Sequence, residues 1–390
     1  MQSLFKNLKC PNCGTQYSGD IIHTVCQNGD CASSLFANYN LSPSIKKEQL
    51  STMGHSMWRY AAFLPVIDSE NIISLGEGFT PILPLVHLRH KGDEQHIFWK
   101  DESGNPTGSF KARGLSAALS KARELGIKEV SIPTAGNAGG ALSAYSARGN
   151  MKAHVFMPKA TPKIFKDECR LYGASLTELD GSISDCGKMA DQLSSENGWF
   201  QISTLKEPYR LEGKKTMGYE IAEQFNWRLP DVIFYPTGGG TGLIGIWKAF
   251  DEMEAMGWID SQRPRMVAVQ STSCDGISRA FNGKKEDSES IDNGFTIANG
   301  LRVPKPYASK IILNILSVSK GAAISINDQQ IEIALKEIAN KEGMLIAPEG
   351  AALWEAYKQL KNTNWIQPGE KILLLNTGSG YKYLENLNVQ

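Results

Sequence analysis

The stretch EVSIPTAGNAGGALSAYSARGNMKAHVFMP, Glu129–Pro158, decides the fold class. Its apolar start reads as a strand that ends in a turn at Gly136. Gly139 to Arg148 is rich in small residues and predicts a helix, and Ala153 to Met157 returns to strand. Two short apolar strands flanking one helix form a βαβ unit, which demands parallel strands and cover on both faces of the sheet.

The same alternation extends in both directions. Upstream, Ile97–Lys100 reads as a strand, and Leu115, Ala118, Leu119, Ala122 and Leu125 recur at helical spacing. Downstream, the periodicity predicts a helix over Pro162–Tyr172 closed by Gly173, then pauses over Gln201–Thr216. It resumes with a helix around Thr216–Phe225, a strand Asp231–Tyr235, a helix Leu243–Met256 and a strand Met266–Gln270. Helices Gln329–Lys341 and Ala351–Lys361 and a strand Lys371–Asn376 follow. The expectation is an α/β core in two lobes, a smaller one over about residues 115–205 and a larger one from 41–114 and 206–390. Residues 283–294, GKKEDSESIDNG, are polar enough to form an exposed loop, and no fixed-period repeat is present.

Composition bounds what such a core could do. The chain has 390 residues, enough for two or three structural units at roughly 150 residues each. Its 41 Lys and Arg balance 41 Asp and Glu, so no net field draws it to nucleic acid or an anionic membrane, and a small, locally recognised ligand is expected. No apolar run approaches the roughly 18 residues of a membrane helix, and the start MQSLFKNLKC has no signal core, which reads as cytoplasmic.

The first 40 residues differ in texture. Cys10, Cys13, Cys26 and Cys31 form a zinc-ribbon-like set, with CPNCG as a tight knuckle and CQNGDC spaced more widely than usual. Four thiolates on one structural Zn2+ is the sharper reading; a cluster of reduced thiols is the plainer one. His23 could replace one of the ligands, but its plainer reading is a solvated side chain.

Two glycine-rich turns each follow a strand and open a helix, where backbone N–H groups converge on an anion. PTGGGTGL, Pro236–Leu243, is neither a Walker loop nor a dinucleotide fingerprint, and on its own is either a phosphate site or a tight structural turn. PTAGNAGG, Pro133–Gly140, adds Asn137, which either donates to a ligand or eases a left-handed turn. A third segment, NPTGSFKARG, Asn105–Gly114, sets Lys111 at a helix start. There the macrodipole lowers an amine's pKa and suits it to Schiff-base chemistry, although most helical lysines are simply solvated.

Together with LLLNTGSG, Leu373–Gly380, these segments in this order resemble the fold type II pyridoxal-phosphate enzymes, the tryptophan synthase β-like superfamily. Within it the chain most resembles the threonine synthase family, through WRY at Trp58–Tyr60, LGEGFTP at Leu75–Pro81, PTGSFK at Pro106–Lys111 and PYRLEGKKT at Pro208–Thr216. The resemblance covers roughly residues 50–385 and implies an open parallel-sheet core, a homodimer and a pyridoxal 5'-phosphate cofactor.

Residue by residue, it makes Lys111 the Schiff-base lysine and Asn137 the partner of the cofactor's phenolic oxygen. Gly238, Gly239, Gly240, Thr241 and Gly242 would wrap the cofactor phosphate, and Thr377, or less favourably Ser379, would meet the ring nitrogen. A neutral hydroxyl at that nitrogen favours elimination and replacement over transamination. Backbone donors of Thr134, Ala135, Gly136, Asn137 and Ala138 would hold a substrate carboxylate. Arg210, in PYRLEG, is the candidate for a substrate phosphate, because a guanidinium matches phosphate oxygens; an ordinary surface or interlobe ion pair is its plainer reading. The implied reaction turns O-phosphohomoserine and water into L-threonine and phosphate. A serine or threonine dehydratase, a cysteate synthase-like β-replacement enzyme and a non-catalytic relative are the alternatives.

The chain departs from the family pattern at three places. Ala112 stands where many members have Asp, Glu207 stands where they have Asn, and GSGYKYLE at Gly378–Glu385 differs from their usual ending. Glu207 would repel a phosphorylated substrate if it faced the pocket.

Overall fold

The computed structural model describes residues 2–52, 54–88, 96–291 and 294–386. Residue 1 of the expected amino-terminal segment, residues 53, 89–95 and 387–390 of the expected core, and 292–293 of the expected loop lie outside them. In chain order the elements begin with β1 (Phe5–Lys9), β2 (Gln16–Tyr17), β3 (Phe36–Tyr39), β4 (Ile82–Pro84) and β5 (His96–Asp101). Next come α1 (Lys111–Glu124), β6 (Glu129–Pro133), α2 (Asn137–Arg148), β7 (Lys152–Pro158), α3 (Lys163–Leu171) and β8 (Ser175–Leu179). After α4 (Ile183–Asn197) and β9 (Phe200–Gln201) follow α5 (Tyr209–Gln224), β10 (Val232–Pro236), α6 (Thr241–Ala255) and β11 (Arg265–Ser271). The chain closes with α7 (Gly276–Asn282), α8 (Ser309–Val318), β12 (Ala322–Ile326), α9 (Asp328–Glu342), α10 (Pro348–Asn362) and β13 (Lys371–Asn376).

These elements form two compact units: residues 1–79, 105–107 and 111–217 in the first, and 80–104, 108–110 and 218–390 in the second. The first holds a four-stranded parallel sheet ordered β8-β7-β6-β9, built on the βαβ unit that the sequence predicts. It also holds the antiparallel ribbon β2-β1-β3. The second holds a six-stranded sheet, β12-β11-β10-β13-β5-β4, parallel except for the β4–β5 edge pair.

Strand chemistry follows burial. All five residues of β10, VIFYP, are buried, the continuous apolar pattern of a strand covered on both faces. Trp99, Phe234, Val267, Trp354, Tyr357 and Leu374 pack in the second unit's core. Helix starts are set by local hydrogen bonds: Ser182 and Asp185 close a capping box on α4, Asn327 and Gln330 close one on α9, and Pro348 opens α10.

Residues 41–79, 105–107, 111–114 and 206–217, expected with the larger lobe, group instead with the smaller sheet. Met57 and Leu64 pack on Ala117, and the Ile73 amide donates to the Ser120 hydroxyl on α1. The amino-terminal ribbon also belongs to this unit: the Ser34 hydroxyl donates to Leu205 O at 2.6 Å, and Tyr39 Oη to Glu212 on α5 at 2.8 Å.

The pause expected over Gln201–Thr216 is shorter than the sequence indicates, because α5 starts at Tyr209. The structure adds β4, β8, α4, β9, α7, α8 and β12 to the expected core elements; β8 is half-buried with a polar pattern. Residues 283–291 form the expected irregular connection, although Ser288 is buried within it.

Candidate active site

The expected site residues divide between the two units. In the second, the segment Thr237–Gly240 links the end of β10 to α6, whose cap residue Gly240 provides no side-chain hydrogen bond. The first amides of α6 therefore have no side-chain acceptor at the cap, an arrangement that suits an anion. Glycine is required here by close approach: a Cβ on Gly238 would lie 2.1 Å from Gly300 O, and one on Gly242 1.9 Å from Tyr235 Oη. The Gly300 amide donates to Glu349 Oε1 at 2.6 Å, and Tyr383 Oη donates to the same oxygen at 2.8 Å. Tyr383 lies in the carboxyl-terminal segment that departs from the family pattern, and it braces the backbone against which Gly238 rests.

The buried Thr377 follows β13 directly. Its carbonyl accepts from Phe110 N at 3.0 Å, Ser109 bridges Gly378, and Ser379 N donates to Gly108 O at 2.9 Å. The strand-like piece 108–110 is thereby fixed against residues 377–379, and Lys111 is the next residue in the chain. Ser379 Oγ accepts from Tyr381 N at 3.3 Å.

In the first unit, Lys111 is the first residue of α1, as the sequence predicts. The loop Thr134–Gly136 leads from β6 into α2, again without a side-chain cap, and the Thr134 hydroxyl accepts from Gly136 N at 3.3 Å. Asn137 opens the helix with its Oδ1 buried and unpartnered. A carbonyl oxygen buried without a donor fits a ligand that supplies a hydroxyl hydrogen.

Arg210 lies on the first turn of α5 and is 1 % exposed. Its Nη1 donates to Ile202 O at 3.0 Å, while Nε and Nη2 are buried without partners. The Glu207 carboxylate accepts from the backbone of Tyr209 at 2.7 Å and from that of Arg210 at 3.1 Å. It is committed to the helix start, which relieves the repulsion that its sequence position implied.

Glu77, inside the LGEGFTP segment, is a residue to which the sequence pattern assigns no role. It is fully buried. Its Oε1 accepts from Trp58 Nε1 at 2.8 Å and lies 2.6 Å from Ser116 Oγ; its Oε2 accepts from Tyr145 Oη at 2.6 Å and Leu75 N at 2.9 Å. Burial, and then the Glu77 charge, push the Tyr145 hydroxyl far above its ordinary pKa, so it remains a donor. Ser116 and Tyr145 belong to α1 and α2, so one carboxylate ties the helices that begin with Lys111 and Asn137. The next amide, Gly78 N, donates to Asn105 Oδ1 at 2.9 Å, and Asn105 begins the turn towards Lys111.

The ribbon's four cysteines converge. Cys10 Sγ lies 3.6 Å from Cys31 Sγ, Cys13 Sγ lies 3.5 Å from Cys26 Sγ, and the four sulfurs are all within 4.8 Å of one another. Tetrahedral zinc with sulfur at about 2.3 Å requires sulfurs about 3.8 Å apart, so the donor set fits. His23 is outside this group; its ring packs edge-on against Tyr17. Among the described residues no helix is long and apolar enough to cross a membrane.

The arrangement in each unit agrees with what the chain is similar to. Residues 73–378 match the family model described as pyridoxal-phosphate dependent enzyme. A threonine synthase of Methanocaldococcus jannaschii is 33% identical over 375 residues, covering 96% of this chain and 92% of that protein. One from Methanosarcina acetivorans is 31% identical, covering 95% and 91%. Among solved structures, diaminopropionate ammonia lyase from Escherichia coli aligns with a TM-score of 0.69 at 16% identity, covering 81% of this chain and 88% of that one. A fungal L-serine ammonia-lyase from Rhizomucor miehei aligns at 0.65 and 21% identity, covering 77% and 93%; both likenesses concern the fold. A family match across most of the core and full-length likeness to two archaeal relatives make the chain a member of the pyridoxal-phosphate dependent enzymes, within the threonine synthase group.

Proposed function

We propose that the chain converts O-phosphohomoserine and water to L-threonine and phosphate, using Lys111 as its proton-transfer group. The observation that carries the choice of a phosphorylated substrate is Arg210, buried with two unpartnered N–H groups. A guanidinium in that state requires an anion, and its fork matches phosphate oxygens.

Lys111 would hold pyridoxal 5'-phosphate, with Gly238–Gly242 around its phosphate, Asn137 at its ring oxygen and Thr377 at its ring nitrogen. When bound, the cofactor supplies an electron sink that makes the substrate's Cα and Cβ protons removable. The amides of Thr134–Ala138 orient the substrate carboxylate. The Lys111 amine takes the Cα proton and then a Cβ proton while Arg210 steadies the phosphate as it leaves Cγ; the two protons return, one to Cγ and one to Cα, as water gives its hydroxyl to Cβ and its remaining proton to the phosphate. Glu77 ties together the helices that begin with Lys111 and Asn137.

Cys10, Cys13, Cys26 and Cys31 would hold one structural zinc ion, on the strength of their sulfur spacing. A homodimer, expected from the family resemblance, and a cytoplasmic location, expected from the sequence reading, complete the reading. The test is the holoenzyme with O-phosphohomoserine. Phosphate and threonine released one for one support the reading; deamination of serine or threonine with no phosphate release from O-phosphohomoserine overturns it.

A further inference from the structure

The carboxyl-terminal segment that departs from the family pattern is laced onto the start of α10. The Ala347 amide donates to Gly378 O at 3.0 Å and the Gly380 amide to Leu345 O at 3.0 Å, and Ile346 bridges Ser379 between them. Beyond Gly380 the chain winds through a short 3-10 helix, Gly380–Asn386, which brings Tyr383 back against Glu349 on the first turn of α10. Tyr383 is 1 % exposed and Glu349 5 %. One stretch of chain thus carries both Thr377 and Tyr383.

Glu349 Oε1 accepts from Tyr383 Oη at 2.8 Å and from Gly300 N at 2.6 Å. Gly300 is gripped from two sides. A Cβ on it would lie 2.7 Å from Glu349 Oε1, and its own carbonyl oxygen would lie 2.1 Å from a Cβ on Gly238. Neither gap leaves room for a side chain, so a shift of the Glu349 carboxylate moves the Gly300 peptide and, with it, the wall against which the Gly238 turn is pressed. Backbone donors serve an anion well only when the chain around them is held to a fraction of an ångström. The Tyr383 phenol, donating to the same oxygen as the Gly300 amide, fixes where that oxygen sits.

We propose that Tyr383 is a positioning residue for the cofactor phosphate. Acting through Glu349 and Gly300, it holds the Gly238 turn in the shape that receives the phosphate, and so sets how strongly the protein prefers pyridoxal 5'-phosphate to pyridoxal. This rests on the assignment of Gly238–Gly242 to the cofactor phosphate made above. The phenol supplies a hydrogen bond alone; no covalent bond is made or broken.

The experiment measures the dissociation constants of pyridoxal 5'-phosphate and of pyridoxal for full-length apoprotein, wild type and Tyr383→Phe, by visible absorbance, together with each apoprotein's melting temperature. The Phe variant keeps the ring and loses one hydrogen bond to a carboxylate. It should bind pyridoxal 5'-phosphate about 10-fold more weakly, the lower end for a bond to a charged group, with pyridoxal binding changed less than about twofold. In a Glu349→Ala background, Tyr383→Phe should leave the ratio of the two constants unchanged, because the route it acts through is gone. Unchanged affinity for pyridoxal 5'-phosphate in Tyr383→Phe overturns the proposal. Equal weakening of both ligands with a lowered melting temperature, the mark of a merely structural role, does the same, as does a full further loss in the Glu349→Ala background. Should wild type itself bind pyridoxal as tightly as pyridoxal 5'-phosphate, the assignment of the Gly238–Gly242 loop falls, and the proposal with it.

Discussion

Replacing Glu77 with alanine removes the acceptor shared by Trp58 Nε1, Tyr145 Oη and Leu75 N, with Ser116 Oγ also within 2.6 Å. Tyr145 is fully buried, so its hydroxyl gains little from water once the carboxylate is gone, whereas Ser116 Oγ keeps Ile73 O at 2.7 Å and Trp58 Nε1 at 3.0 Å. Each buried donor left without a partner costs about 1–3 kcal/mol, and neighbouring losses do not add in full. The expected destabilisation is about 3–5 kcal/mol, the range for breaking a buried charged network. Glu77→Gln keeps one carbonyl oxygen but sets an amide donor against one of the existing donors, so about half that loss is expected. Urea unfolding followed by tryptophan fluorescence reads the change, with Trp58 as a reporter inside the affected network. Cofactor retention after dialysis should fall in parallel, because Glu77 joins the helices that begin with Lys111 and Asn137. A Glu77→Ala protein within about 0.5 kcal/mol of wild type, the scatter of ordinary surface substitutions, would refute the reasoning.

Gly238→Ala places a Cβ 2.1 Å from Gly300 O, a backbone atom, so pyridoxal phosphate should dialyse away while the far-ultraviolet circular dichroism is kept; full cofactor retention would count against the assigned loop. Zinc analysis of the purified protein should find about one ion per chain, and Cys10→Ser with Cys13→Ser should lose it. Because Tyr39 of the ribbon donates to Glu212 on the helix that carries Arg210, metal loss should also raise KM for the phosphorylated substrate with the cofactor's visible absorbance unchanged. Burial favours protonation of Glu337, but hydrogen bonds from Trp354, Lys341 and Lys358 prevail and hold its pKa at about 2 instead of 4.5. A depressed carboxylate contributes stability that is complete above about pH 4.5 and disappears as pH falls towards 2. Acid titration of Glu337→Gln should therefore be flatter than wild type across that window.

What the sequence made legible follows from how local each signal is. The βαβ reading of Glu129–Pro158 rests on contiguous apolar strands and a small-residue helix, and β6, α2 and β7 occupy those places. The loops around Asn137 and Gly238 are visible because glycines between a strand and a helix are a local pattern. The placement of Arg210 on a helix escapes the sequence reading because the periodicity starts that helix at Thr216, whereas α5 begins at Tyr209. Glu77 cannot be found by spacing, since its partners Trp58, Ser116 and Tyr145 are 19, 39 and 68 residues away. The threat posed by Glu207 is a reading of charge alone. Its direction, towards the backbone at the start of α5, depends on the turn that precedes the helix.

The central claim is that Lys111 drives release of phosphate from a phosphorylated amino acid. Continuous measurement of phosphate, with threonine quantified at the end point, tests it on wild-type holoenzyme and Lys111→Ala given O-phosphohomoserine. The expected result is one phosphate per threonine from wild type and neither product above the buffer rate from Lys111→Ala, with its circular dichroism unchanged. Turnover by Lys111→Ala at the wild-type rate, or no phosphate from wild type saturated with cofactor, would contradict it.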